Sequence, residues 1–133
     1  MEFLGKKAAS ASAASATTQQ KGQAAEERAL AHLQAAGLRL LVRNYRTPGR
    51  GGGEIDLIVR DQDGTVVFVE VRSRSRSDFG SAGASIHAAK QRRIIFAARH
   101  YLMRLPTPPA CRFDAVLIEG DTLEWLQAAF DAQ

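Results

Sequence analysis

The chain has 133 residues, 45% of them hydrophobic, and carries a net charge of +4 with a single cysteine. That length suits one domain with one real core and is too short for two. No apolar run approaches the roughly 20 residues that cross a bilayer, one cysteine excludes an internal disulfide, and no Cys/His set has zinc-ligand spacing.

A cytoplasmic, reducing setting with no membrane partner is therefore expected. Cys111 reads as a small buried or half-buried thiol in a loop rather than a nucleophile. The net charge conceals an asymmetry. Residues 72–104 hold eight Lys/Arg against one acid, whereas residues 105–133 hold one Arg against five acids. A basic middle suits a polyanion, although Arg-rich helix faces that are merely solvated give the same composition.

In chain order, residues 1–20 are rich in Ala, Ser and Thr and lack the apolar core of a signal peptide. They read as a disordered tail before a single domain over residues 21–133. The spacing of Ala25, Glu26, Ala29, Leu30 and Leu33 predicts a helix over 20–36, stopped by Gly37. Glu26 falls inside the apolar stripe, where it either meets the helix dipole or points toward the sheet as a site residue. A strand is predicted over 40–45, followed by a flexible loop over 47–53.

Two strands rich in β-branched residues follow, Gly53-Glu54-Ile55-Asp56-Leu57-Ile58-Val59 and Val66-Val67-Phe68-Val69-Glu70-Val71-Arg72. Strands this apolar are covered on both faces, which makes Asp56 and Glu70 desolvated carboxylates in need of compensation. Two acids converging on one spot suggest a divalent cation. Arg72 shares the strand face of Glu70 because strand side chains alternate.

The geometry of the hairpin decides whether the acids meet. Directly opposed residues of an antiparallel pair share a face, so Asp56 opposes Glu70 only if paired residue numbers sum to 126. That requires an odd connection, residues 62–64 or 61–65, with Gly64 suited to a positive φ. A two-residue turn at 62–63 would send the acids to opposite faces.

Beyond the strand, residues 72–83 read as a loop, and Ser85 as the cap of a long helix ending before Pro106. Its core stripe is Ile94, Ala97, Ala98, Tyr101, Leu102 and Leu105. Extending that stripe backward brings Lys90 and Gln91 to the inward face, where Lys90 either snorkels to water or reaches a phosphate. Strands over 113–118 and 122–126 and a helical turn over 126–130 complete the chain. The order is an α/β αβββαβ core, a mixed sheet flanked by helices.

Gly22, Glu26, Ala29, Leu33, Gly37, Asn44 and Arg46, then Gly-Glu-Ile-Asp-Leu-Ile at 53–58, Val-Phe-Val-Glu-Val-Arg at 67–72, Gly80, Lys90 and Arg-Phe-Asp at 112–114 resemble the YraN family. That family is a bacterial group of restriction-endonuclease-like fold, of the PD-(D/E)XK type. The resemblance covers residues 22–130. It implies that Asp56 and Glu70 hold Mg²⁺ or Mn²⁺, joined by Glu26 as the helix-borne acid of the Holliday-junction-resolvase-like branch. Arg72 falls at the last position of the E-x-K pattern and Lys90, on the inward face of the next helix, is the candidate to supply an amine there, so both are expected as further catalytic residues. Arg72 is a departure, since the wider superfamily favours Lys there. Arg stays charged and cannot act as a base, although it holds phosphates well.

Three readings follow. One is a metal-dependent endonuclease acting on DNA structure, with Arg74, Arg76, Arg92, Arg93 and Arg99 on phosphates, since no groove-reading module is visible. A two-fold dimer would suit such an enzyme. Another is a non-catalytic nucleic-acid-binding or protein-interaction module of the same fold. In the third, the acids serve only in salt bridges with Arg46, Arg72 or Arg74.

Overall fold

The computed structural model describes residues 17–49, 51–74 and 86–132. The tail over 1–16, Arg76, Gly80 and Ser85 lie outside them. Seven elements follow in order: α1 (Thr18–Ala35), β1 (Arg39–Arg46), β2 (Glu54–Arg60), β3 (Val66–Arg74), α2 (Ala88–Leu102), β4 (Cys111–Glu119) and β5 (Thr122–Phe130). The five strands form one sheet in sequential order. Every neighbouring pair is antiparallel except β3 and β4, which run parallel with α2 between them in the chain. The fold is α/β, a mixed sheet with a helix against each face, compatible with the restriction-endonuclease-like architecture.

Alternation along β2 and β3 assigns the faces. Leu57, Val59, Val67 and Val69 pack with Ala25, Ala29 and Leu33 of α1, together with Val116 and Ile118 of β4. Ile58, Val66 and Phe68 pack with Ile94, Ala97 and Ala98 of α2, together with Phe113 and Ala115. Both faces are covered, which is why these strands read as nearly continuous apolar runs. Each large side chain buried this way contributes about 1.5–3 kcal/mol against the chain entropy lost on folding.

Local chemistry sets the ends of α1. The Thr17 side chain accepts the Gln20 N–H while Gln20 reaches back to the Thr17 N–H, a capping box that starts the helix at Thr18. The helix thus takes three residues, 18–20, from the expected tail. At its other end Gly37 is left-handed at φ +99°. The Leu38 N–H then closes onto the Leu33 carbonyl at 3.0 Å, the closing bond of a Schellman-type end.

The β2–β3 hairpin has the register that the acids need. Leu57 opposes Val69 and Arg60 opposes Val66, so paired numbers sum to 126. The connection is the longer odd loop, residues 61–65. Gly64 adopts φ +91°, and the loop is closed by Asp61 N–H to Thr65 O at 2.8 Å.

Two expectations are corrected. The helix after β3 begins at Ala88 with His87 as its N-cap, so Ser85 is not the cap. Ile86 is instead buried in the core, and the Gln91 side chain donates to its carbonyl at 2.7 Å, anchoring the chain just before the helix. Residues 126–130 form no helical turn; β5 continues to Phe130. A register shift opposite Phe113–Ala115 and a left-handed Ala128 at φ +53° let it continue. Phe130 then stacks on Phe113, with ring centroids 4.9 Å apart.

Candidate active site

The acids gather at the end of the sheet where β2 begins and β3 finishes. Past the Leu57–Val69 pair, Asp56 engages β3 through its side chain, with Oδ2 accepting the Val71 N–H at 2.8 Å. Continuing the register brings Glu70 opposite Asp56, on the α2 side of the sheet with Val66 and Phe68. Glu70 is only 8% exposed.

Gly53 admits α2 to this position. A Cβ there would collide with the Arg93 carbonyl of α2, so only glycine lets the helix backbone approach the start of β2. The base of the 47–53 loop is tied down as well. The Thr47 hydroxyl accepts the Gly53 N–H at 2.7 Å, and the Thr47 N–H donates to the Gly53 carbonyl at 3.0 Å.

On the first turn of α2, Lys90 Nζ reaches Glu70 Oε2 at 3.6 Å. This inward lysine is half-buried. Lys90 does not compensate both acids. Burial first, and then the Asp56 charge, push the Glu70 carboxyl up to about 8. Burial also raises Asp56, against the opposing effect of the Val71 N–H and a hydrogen bond with Glu70.

That carboxyl–carboxyl hydrogen bond exists only while one of the pair is protonated. With both ionised, each is an acceptor, and the buried Glu70 Oε1 has no donor. The two acids thus form a pair that a proton or a cation completes.

Glu26 approaches the same end from the other face of the sheet. The Arg28 guanidinium on α1 donates to the Gly120 carbonyl at 2.8 Å, tying α1 to the turn where β4 ends. Burial raises the Glu26 carboxyl, and the Asp56 charge adds to that effect. Its ion pair is with Arg43 at 3.9 Å, a separation that leaves Glu26 Oε1 buried without a hydrogen-bond partner. The side chain of Asn44, a residue left-handed at φ +52°, works against that burial and lowers the Glu26 carboxyl.

Among the described residues, no three His, Cys, Asp or Glu side chains converge closely enough to cage a cation unaided. The Asp56–Glu70 pair still suits a hard cation such as Mg²⁺, which commonly takes one or two carboxylates and fills its remaining positions with water and phosphate oxygens. The orphaned Glu70 oxygen and the mutual repulsion of the pair are what such an ion relieves.

A cleft of about 520 Å³ opens beside the pair, lined by Glu70, Arg72, Arg74, His87, Lys90 and Arg93 among others. Arg72 and Arg74 therefore flank the acids from β3, and Arg93 faces them from α2. Arg92 and Arg99 line a different groove on the outer side of α2. The expected phosphate-binding set is thus divided between two surfaces. His87 escaped the sequence reading, and its only signal was a place three residues before Lys90.

Residues 25–118 match the model of UPF0102, described as an uncharacterised protein family. The chain belongs to the UPF0102 family. It is 77% identical over 116 residues to a UPF0102 protein of Paracidovorax citrulli, covering 87% of this chain and 86% of that one. It is also 70% identical over 132 residues to a UPF0102 protein of an Acidovorax strain, covering 99% of each. A UPF0102 protein of Methylibium petroleiphilum is 57% identical over 119 residues, covering 87% of this chain and 98% of that one.

The UPF0102 match contains Glu26, Asp56, Glu70, Arg72 and Lys90, whereas β5 lies beyond its end. Among the described residues of this UPF0102 protein, no helix is long and apolar enough to cross a membrane.

Proposed function

We propose that this UPF0102 protein is a divalent-metal-dependent endonuclease of the PD-(D/E)XK type, cutting DNA according to structure rather than sequence. The carrying observation is the in-register Asp56–Glu70 pair, with Glu70 buried, Asp56 half-buried and one Glu70 oxygen without a donor, beside a basic cleft. Such strongly perturbed acids in a cleft mark candidate sites. Asp56 and Glu70 would hold Mg²⁺ or Mn²⁺, with Glu26 adding negative charge from the α1 side. The cation, when bound, would stabilise charge developing on the phosphoryl oxygens and make a water more acidic.

The chain's own residues have distinct parts in this reading. The Val71 N–H fixes the orientation of the Asp56 carboxylate. Lys90 orients Glu70 and supplies the primary amine that Arg72 replaces in the E-x-K pattern. Arg72, Arg74 and Arg93 receive the phosphate backbone, Arg72 with the two-pronged geometry of a guanidinium.

Proton abstraction is not assigned to Arg72. That same departure favours a second reading, a binding module of this fold that recognises nucleic-acid structure without cutting.

The test joins calorimetric titration with Mg²⁺ and Mn²⁺ to a cleavage panel of branched, flapped and linear DNA. Cation binding with metal-dependent cleavage of branched or flapped substrates, lost in Asp56→Asn, supports the nuclease. Metal and DNA binding without cleavage supports the binding module. An absence of metal binding sinks the site.

A further inference from the structure

On the outer side of α2, away from the acids, the helix carries a second surface. Arg92, Ile95, Phe96 and Arg99 line a groove of about 520 Å³, with Asp131 at its edge. Phe96 is 53% exposed and Met103 80%, the two large apolar side chains that the described structure leaves in water. The order Arg92, Phe96, Arg99, Met103 advances by four, three and four residues, so all four follow one stripe of the helix. Arg92 and Arg99 are about 10 Å apart along the axis. Phe96 lies about 120° round the helix from Lys90, so the groove and the acid cleft flank α2 on different sides.

An exposed aromatic ring between two guanidinium groups has the chemistry of a single-strand platform. Any base can stack on the ring while arginines take the phosphates, without readout of sequence. A second copy of the chain is the competing occupant of such a face. However, α2 itself carries Lys90, Arg92, Arg93 and Arg99 and no acid, so a two-fold contact through the helix would oppose mostly like charges, with Asp131 the one acid lining the groove.

We propose that Arg92, Phe96 and Arg99 form a second nucleic-acid subsite, where Phe96 stacks an unpaired base and the two arginines hold the flanking phosphates. This rests on the nucleic-acid reading of the acid cleft and narrows its substrate. DNA that lies in the cleft and continues around α2 must carry a single-stranded arm, because a fully paired duplex keeps its bases stacked on one another.

The test uses the full chain with chelator present, so that binding is read without cleavage. The probes are a single-stranded oligonucleotide containing 2-aminopurine and a duplex of the same sequence. Phe96→Ala should weaken single-strand binding about ten-fold or more and abolish the stacking change in 2-aminopurine fluorescence. Phe96→Trp should retain both, and duplex affinity should stay within about two-fold of the unaltered chain for either variant, because stacking needs an unpaired base.

If Phe96→Ala binds single strands normally while Lys90→Ala/Arg93→Ala loses binding, the subsite is wrong and the cleft reading stands. Failure of the unaltered chain to bind either probe overturns both. Self-association that Phe96→Ala removes and DNA does not compete with would give the face to a second copy and overturn the proposal.

Discussion

Two buried carboxylates, Asp114 and Glu70, sit on opposite faces of the same sheet, and their treatment could hardly differ more. Asp114 on β4 is fully buried on the α1 side, beside Val69. Its two oxygens accept the Arg112 Nε–H at 3.0 and 3.2 Å, the Trp125 indole N–H at 2.9 Å and the Ala128 N–H at 2.9 Å. Arg112 also reaches Asp61 at 3.2 Å, linking the network to the β2–β3 loop. Glu70 on the α2 side has the Lys90 ammonium at 3.6 Å, a second carboxyl opposite it and an oxygen without a donor. Burial alone therefore does not mark a site in this molecule. The acid supplied with a full set of donors serves as a fastener, and the acid pair left short of them is poised to receive something.

The comparison breaks most sharply at Asp114. Asp114→Ala leaves the Arg112 Nε–H, the indole N–H and the Ala128 N–H without their acceptor together, and should cost about 3–5 kcal/mol in urea unfolding. A loss below about 1 kcal/mol would make Asp114 no more than an ordinary polar contact.

The opposite sign is expected across the sheet. Asp56→Asn or Glu70→Gln relieves repulsion and should leave stability unchanged or raise it by about 0.5–2 kcal/mol. Calorimetric metal binding should disappear in both variants. A large destabilisation would show that the acid pair is a fastener too.

No smaller, and more diagnostic, is the pH response of the metal-free protein. Glu70 loses its proton near 4.5 when unfolded and near 8 when folded. Between those values the folded chain binds more protons, so stability falls as pH rises, with the loss complete above about 8 and absent below 4.5. The raised Asp56 and Glu26 carboxyls act in the same direction. Denaturation midpoints from pH 4 to pH 9 should show this decline, Glu70→Gln should flatten it, and saturating Mg²⁺ should offset it at the alkaline end. A flat profile for the unaltered chain would mean that water or another donor already compensates the pair.

The smallest effect distinguishes the two sides of α2. Arg93→Ala should lower the salt dependence of duplex binding by about one counterion, because Arg93 faces the acid cleft. Arg92→Ala should leave the duplex slope nearly unchanged. Equal slopes in all three proteins would reduce this whole helix to solvated surface.

The sequence made the hairpin legible because parity is a local property. Once Gly64 was read as the bend of an odd loop, Asp56 and Glu70 had to share a face. Lys90 was similarly visible from the helical period alone. The C-terminal strand was not, because nothing within residues 126–130 forbids a helical turn. Their path is set by the Asp114 carboxylate capturing the Ala128 N–H and by Phe113 offering a ring to Phe130. The start of α2 was misread for a related reason, since Ile86 joins a core assembled from distant strands. Glu26 was placed on the correct helix face, but its partners Arg43 and Asn44 come from β1, whose bulge and left-handed Asn44 leave little trace in the local pattern.

Gly53 acts as a spacer of zero thickness between β2 and α2. Because the Arg93 carbonyl rests where a Cβ would stand, the width of the gap that Lys90 must bridge to Glu70 is set by a missing methyl group rather than by either charged side chain. Alanine or serine at this position would shift the whole helix, carrying Lys90 and Arg93 away from the acids together while leaving both side chains chemically intact. The glycine that precedes Glu54-Ile55-Asp56 thereby works as a calibration point, through which a change three residues before Asp56 could retune the spacing between the acids and their nearest cation.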